Sequence, residues 1–145
     1  MPPRDSAGGI VLGSDGKMVL VNQGSNVWSF PKGGVEQGET LLEAAKREIG
    51  EECGITDLTL VEELGSYKRR MIGKGGIGEV MDRPESTRTL FLFTTSQTEI
   101  TPQDGEIVAV RWVSIDEALE LLTHLKDKEF LVSVRDKIEK WTHSH

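Results

Sequence analysis

Cysteine is nearly absent from this 145-residue chain: Cys53 stands alone, which excludes an intrachain disulfide and a metal centre built from several thiolates. Its position inside a helical pattern points to packing, and a reducing cytoplasm suits it. Histidine is equally scarce, with His124, His143 and His145 scattered along the C-terminal part. Positive charge is in deficit, 17 Lys and Arg against 24 Asp and Glu, for a net charge of −7. Such a surface opposes duplex nucleic acid, which calls for a broad basic face. Small anionic partners stay open if basic residues are concentrated locally. No charged-then-apolar leader and no apolar run of membrane-spanning length occurs, so the expectation is a soluble, unexported, cytoplasmic protein with no membrane partner. Neither an internal repeat nor a low-complexity tract is found, and the length suits one domain over residues 1–145.

Within those bounds the chain alternates strand and helix signals. Gly9 to Leu12 and Lys17 to Asn22 read as a hairpin across Ser14-Asp15-Gly16, and Val27 to Phe30 as a third, short strand. Pro31 to Gly38 reads as a loop, because a proline and three glycines interrupt a ladder. Strand-like stretches follow over Leu58 to Arg70, Thr87 to Thr95 and Ile107 to Val113. Helices are expected over Leu41 to Cys53, from Ile115 to about Leu122 behind a Ser114/Glu117 capping box, and over Lys128 to Trp141. Strands interleaved with helices predict an α/β or α+β sandwich. Trp112 and Trp141 are expected to pack rather than to stack on bases.

The helix from Leu41 carries an anomaly. Thr40 and Glu43 make a capping box, and Leu42, Ala45 and Ile49 recur at the spacing of a buried face. Glu48, Glu51 and Glu52, however, stand at i, i+3 and i+4, where like charges repel by a few tenths of a kcal/mol per pair (about 0.2–0.5). They also lie in the last turn before Gly54, at the end whose carbonyls favour cations. Gly50 costs about 0.8–1.0 kcal/mol more relative to Ala. A solvated acidic face is the plain reading; a bound divalent cation would offset the repulsion.

The spacing favours the cation. Gly33, five residues, Glu39, seven residues, Arg47-Glu48-Ile49, one residue, Glu51-Glu52, one residue, Gly54-Ile55 fills every fixed position of the Nudix box, so the segment resembles the Nudix hydrolase family. That resemblance implies a mixed curved sheet between helices, with the box as a loop–helix–loop, and hydrolysis of a nucleoside diphosphate linked to another group, using Mg²⁺ or Mn²⁺ and an attacking water. It places Glu48, Glu51 and Glu52 at the metal positions, with the backbone carbonyl near Gly33 as a further ligand. It also makes Glu48, Glu52 or Glu106 the candidate base, and Arg47 the residue that reaches Glu39 to brace the loop.

Substrate rests on less. Trp28-Ser29-Phe30-Pro31-Lys32-Gly33-Gly34 resembles the entry to the box in Nudix hydrolases of dinucleoside polyphosphates and of diphosphoinositol polyphosphates, and implies that Lys32 reaches the phosphate chain. Tyr67-Lys68-Arg69-Arg70 sets three cations beside a ring. Strand alternation sends Lys68 and Arg70 to one face and Tyr67 and Arg69 to the other, so only one pair lines a cleft. Lys68 and Arg70 are the candidate phosphate contacts, and Tyr67 the candidate base-stacking ring; a basic edge strand guarded against aggregation is the plain alternative. Gly73-Lys74-Gly75-Gly76-Ile77-Gly78 matches G-x-G-x-x-G, but the following EVMDRPES does not open a dinucleotide-binding helix, and the stretch reads as a loop. The expected substrate is a dinucleoside polyphosphate such as diadenosine tetraphosphate. A diphosphoinositol polyphosphate, a nucleoside triphosphate and an RNA 5′ end are the alternatives. A nucleotide-sensing module without turnover is the alternative class, disfavoured because every acid of the box is present.

Overall fold

The computed structural model describes residues 5–70, 85–103 and 105–144; the Gly73–Gly78 motif and the terminal His145 lie outside them. Among the described residues the order is β1 (Ser6–Leu12), β2 (Met18–Asn22), β3 (Trp28–Ser29), β4 (Lys32–Gly34), α1 (Leu41–Cys53), β5 (Thr59–Arg69), β6 (Ser86–Thr94), β7 (Ala109–Val113), α2 (Ile115–Leu121) and α3 (Leu125–Ser144). The strands form one mixed sheet in the order β3-β2-β1-β6-β5, with β4 also pairing β1 and β7 also pairing β2. The β1–β6 pair is parallel and the rest are antiparallel.

Alternation along the central strands builds two cores. Ala7 and Val11 of β1 and Phe91 and Phe93 of β6 face Ala44, Ala45, Ile49 and Cys53 of α1. Ile10 and Leu12, with Leu90 and Leu92, face Phe130, Leu131, Val134 and Ile138 of α3. Helices thus cover both faces, which is why these strands read as continuous apolar runs. Each fully buried Leu or Phe contributes about 1.5–3 kcal/mol. Both cores meet at β1, which holds the loop before α1.

The expected hairpin forms, with Gly16 at φ 81° and the Lys17 N–H donating to Asp15 Oδ1 at 3.1 Å. The expected loop over Pro31 to Gly38 is corrected in part, since Lys32–Gly34 is a strand. Ser6, Ala7 and Gly8 pair with Gly34, Gly33 and Lys32. Pro31 precedes the ladder and so withholds no donor from it, while its carbonyl accepts from the Gly9 N–H at 3.1 Å. Close approach requires glycine here: a Cβ on Gly8 would lie 2.1 Å from the Pro31 carbonyl oxygen.

Candidate active site

Helix α1 starts and stops where its sequence dictates. The Glu43 N–H donates to Thr40 Oγ1 at 3.1 Å, and Glu43 Oε1 accepts from the Thr40 N–H at 2.9 Å. Gly54 adopts the left-handed conformation at φ 73° and donates to the Gly50 carbonyl. No basic residue lies in the last turn, where Glu51 and Glu52 stand instead, and the Glu51 and Cys53 carbonyls accept the Gln103 and Thr101 N–H groups.

The three acids occupy different environments. Glu52 is buried and its Oε1 accepts the Lys32 N–H of β4 at 3.1 Å. Glu48 is 12% exposed and sits under Gly33, where a Cβ would come within 2.1 Å of its carboxylate. Burial raises the Glu48 carboxyl above the ordinary range despite the Arg47 hydrogen bond. Glu51, 48% exposed, lies on the outer edge. Among the described residues no three carboxyl, imidazole or thiol groups are gathered as a metal centre. Like charges do not converge unaided, and each acid is held by another partner. The donor set nonetheless fits a hard divalent cation: all ligands are oxygens, they stand at the negative end of a helix, and the missing Gly33 side chain leaves Glu48 its place against β4.

Arg47 organises this end of the molecule. Its Nε donates to Glu39 Oε2 at 2.7 Å and its NH2 to Glu39 Oε1 at 3.0 Å, a forked pair that clamps the loop before α1. NH2 also reaches the Gly34 carbonyl at 3.0 Å, while NH1 donates to Glu48 Oε1 at 2.8 Å and lies 3.3 Å from Glu51 Oε2. These bonds, Glu39 foremost, hold the guanidinium more basic than usual. Beside it a hollow of about 510 Å³ is lined by Lys46, Arg47, Gly50, Glu51, Leu58 and Gln103, among others. Glu106 is exposed in the turn before β7, whose preceding segment is tied to α1 by the Gln103 N–H on the Glu51 carbonyl.

On the other side of β4 the half-buried Lys32 ammonium is lowered to about 8 by burial and by Arg88, with Glu52 and Asp127 opposing and Arg69 reinforcing the shift. The Tyr67–Arg70 alternation is realised, and it turns Tyr67 and Arg69 inward. Lys68 is exposed on the opposite face, and Arg70 follows β5 with its NH1 3.8 Å from Glu85. The basic pair expected to line the cleft, Lys68 and Arg70, is therefore not the one that accompanies Lys32. Nor is the Tyr67 ring open on both sides: it stacks on Phe130 at 4.7 Å, and its hydroxyl donates to Asp127 Oδ1 at 2.5 Å. Arg69 NH1 donates to Asp127 Oδ2 at 2.8 Å and Arg88 NH1 to Oδ1 at 3.2 Å.

Arg88 and Asp127 escaped the sequence reading, although a signal existed. Arg88 shares strand parity with the core residues Leu90 and Leu92, and Asp127 begins the stripe continued by Phe130, Leu131, Val134 and Ile138. A charge in register with a buried stripe marks a burial that something must pair. His124 is likewise buried; its Nδ1 accepts the Lys126 N–H at 3.0 Å, and its Nε2 lies 3.0 Å from the Arg70 carbonyl. Trp112 and Trp141 pack at the two cores, as expected. Among the described residues no helix is long and apolar enough to cross a membrane.

Known proteins of similar sequence and fold identify the family. The RNA pyrophosphohydrolase of Pelagibacter ubique is 27% identical over 135 residues, covering 87% of this chain and 85% of its own length. That of Bartonella clarridgeiae is 30% identical over 122 residues, covering 77% and 70%. Among solved structures, a C. elegans Ap4A hydrolase in a binary complex shares the fold at a TM-score of 0.76 with 20% identity, covering 95% of this chain and 99% of that one. The E. coli dihydroneopterin triphosphate pyrophosphohydrolase does so at 0.71 with 20% identity, covering 87% and 90%. The NUDIX domain profile matches residues 2–134, nearly the whole chain. With that match and the Gly33–Ile55 box folded as a loop and helix against β4, the chain belongs to the Nudix family and is a pyrophosphohydrolase acting on phosphoanhydride bonds.

Proposed function

We propose that this enzyme cleaves a phosphoanhydride bond by water attack in a substrate with an extended phosphate chain, and that a dinucleoside polyphosphate such as diadenosine tetraphosphate fits the site best. The observation that carries this reading is the position of Lys32: its N–H donates to Glu52 of the acidic helix, while its ammonium feels the charges of Arg69 and Arg88. Strand β4 thus links hydrolytic carboxylates on one side to a basic receptor on the other.

Nudix hydrolases generally use divalent metal ions. In this chain Glu48, Glu51 and Glu52, with the Gly33 carbonyl, would hold Mg²⁺ or Mn²⁺. Such an ion supplies charge neutralisation at the phosphate oxygens and a more nucleophilic water. Glu48 is a candidate to accept the water's proton through an oxygen that the metal leaves free. Glu52 and Glu106 are the alternatives for that role. Arg47 and Glu39 keep α1 and the loop in register. Lys32 would contact the phosphates, with Arg69 beside it in place of Lys68.

A second reading, hydrolysis at an RNA 5′ end, is favoured by the names of the two relatives above. Against it stands the net charge of −7, which gives a long polyanion little to bind beyond its first phosphates. A panel with Mg²⁺ or Mn²⁺ separates these readings from diphosphoinositol polyphosphates and nucleoside triphosphates: dinucleoside polyphosphates are expected to give the highest kcat/KM, and preference for triphosphorylated RNA would overturn the choice. Glu52→Gln keeps an oxygen for the Lys32 N–H but removes the charge, so the variant should fold and lose metal-dependent turnover by about 10²-fold or more. Retained turnover would refute the role of Glu52. Ligand-induced stabilisation of the wild type with no product would mark a binding module instead.

A further inference from the structure

We infer that Asp127, in the first turn of α3, is a positioning residue that aims Arg69 and Arg88 as a paired guanidinium receptor for a phosphate group beside Lys32. The inference rests on the proposed phosphoanhydride chemistry for its choice of ligand, and it adds three residues that the box does not contain.

Asp127 is completely buried and its two oxygens are divided among three donors. Oδ2 takes Arg69 NH1 at 2.8 Å; Oδ1 takes Arg88 NH1 at 3.2 Å and the Tyr67 hydroxyl at 2.5 Å. One carboxylate thereby fixes two guanidinium groups from neighbouring strands, which the β5–β6 register brings together with Tyr67 opposite Arg88. The Tyr67 ring, stacked on Phe130 of the same helix, stiffens the clamp.

A purely structural staple would be charge-balanced. Here the Arg69 and Arg88 guanidinium groups share the single Asp127 carboxylate, two cations against one anion. The excess is held out of water, with the Arg69 and Arg88 side chains 11% and 7% exposed. An uncompensated buried charge is costly, and an anion that enters would relieve it. Donors also remain: each guanidinium has five N–H groups and gives Asp127 only NH1, and Arg88 Nε is buried without a hydrogen-bond partner among the described residues. Guanidinium forks suit phosphate oxygens, provided that something holds the forks still. Asp127 performs that holding from the far side of the arginines.

Inorganic tripolyphosphate in EDTA tests the receptor apart from the metal and from turnover. The wild-type enzyme should bind it, read as thermal stabilisation and as competitive inhibition once metal is restored. The Asp127→Asn variant separates positioning from charge: counting charges predicts tighter binding, whereas loss of positioning predicts binding weaker by about tenfold or more. The same variant should raise KM for a polyphosphate substrate more than it lowers kcat. If it does not fold, Arg69→Lys and Arg88→Lys serve instead. Both keep the charge and lose the fork, and both should weaken tripolyphosphate binding, whereas Arg135→Gln on the outer part of α3 should leave it unchanged. Wild-type protein that ignores tripolyphosphate, or variants that bind it as well as the wild type, would overturn the inference. The substrate panel fails or succeeds independently, because a different preferred substrate leaves tripolyphosphate binding in place.

Discussion

Replacing Gly33 by alanine should silence the enzyme while leaving it folded. An alanine Cβ would lie 2.1 Å from Glu48 Cδ and Oε2 and 2.4 Å from Oε1. Ordinary contact begins near 3.5 Å, so the carboxylate must retreat by more than about 1 Å. Strand β4 cannot yield instead, because Gly33 is paired to Ala7. The retreat costs Glu48 its rotamer and its 2.8 Å bond from Arg47, which together amount to about 1–3 kcal/mol. A chain of this length should lose about 3–10 °C in Tm. Turnover should fall much further, by about 10²-fold or more, since a displacement of that size is enough to misplace a reacting group. Thermal unfolding and metal-dependent hydrolysis, measured on the same preparation, read the two effects. Gly8→Ala supplies the contrast: its Cβ would meet backbone, Pro31 O at 2.1 Å and Lys32 Cα at 2.7 Å, which no side-chain rotation relieves. Its Tm should drop more than that of Gly33→Ala. Unchanged turnover in Gly33→Ala, or a larger loss of stability there than at Gly8, would refute the placement of Glu48 under β4.

Arg47→Lys should keep the charge and lose the fork on Glu39, lowering stability by about 1–2 kcal/mol and activity by about 10–100-fold, as measured by urea melts and initial rates. An activity like that of the wild type would count against the bracing role. Burial, with the Glu52 charge adding to it, raises the Cys53 thiol well above its ordinary value, so the native protein holds almost no thiolate at pH 8. A thiol-exchange reagent should label Cys53 only on unfolding, and rapid stoichiometric labelling of the native state would contradict its burial. Holding the thiol neutral in the folded state also makes stability depend on pH. The stabilisation is full below the unfolded thiol pKa of about 8.5 and declines as pH rises beyond it toward the folded value.

What could be read from the chain and what could not divide along the range of the interaction. Thr40 with Glu43, Ser114 with Glu117 and the Gly54 cap are contacts within a single turn, and α1 begins and ends, and α2 begins, where they say. Arg47 on Glu39 spans only the loop and first turns of one element, so the box spacing already contained it. The Lys32–Gly34 strand was hidden because its ladder is supplied by Ser6–Gly8, some 26 residues away, and no local propensity can outvote a partner that the sequence does not announce. The inward pair at Tyr67–Arg70 turned on parity at the end of β5. Register shifts between Leu60 and Glu62 and between Glu63 and Gly65 change that parity upstream, so the alternation was legible but not which face it addressed.

Asp127 shows where such reading can be extended. It stands 39 residues from Arg88 and 60 from Tyr67, and although the first turn of α3 favours an acidic residue, nothing local requires that residue to be buried. Yet it lies on the stripe of Phe130, Leu131 and Val134, as Arg88 lies in register with Leu90 and Leu92. Two charges of opposite sign on two stripes that must face one core can escape desolvation only by finding each other. Burial likewise separates the two groups of cations at the end of β5. Arg69, on the buried face, is committed to Asp127, and Lys68, on the exposed face, is committed to water. A cation that is both desolvated and incompletely matched is the one with free energy to gain from a phosphate, which is why the receptor belongs to Arg69, Arg88 and Lys32 rather than to the more conspicuous run of charge beside them.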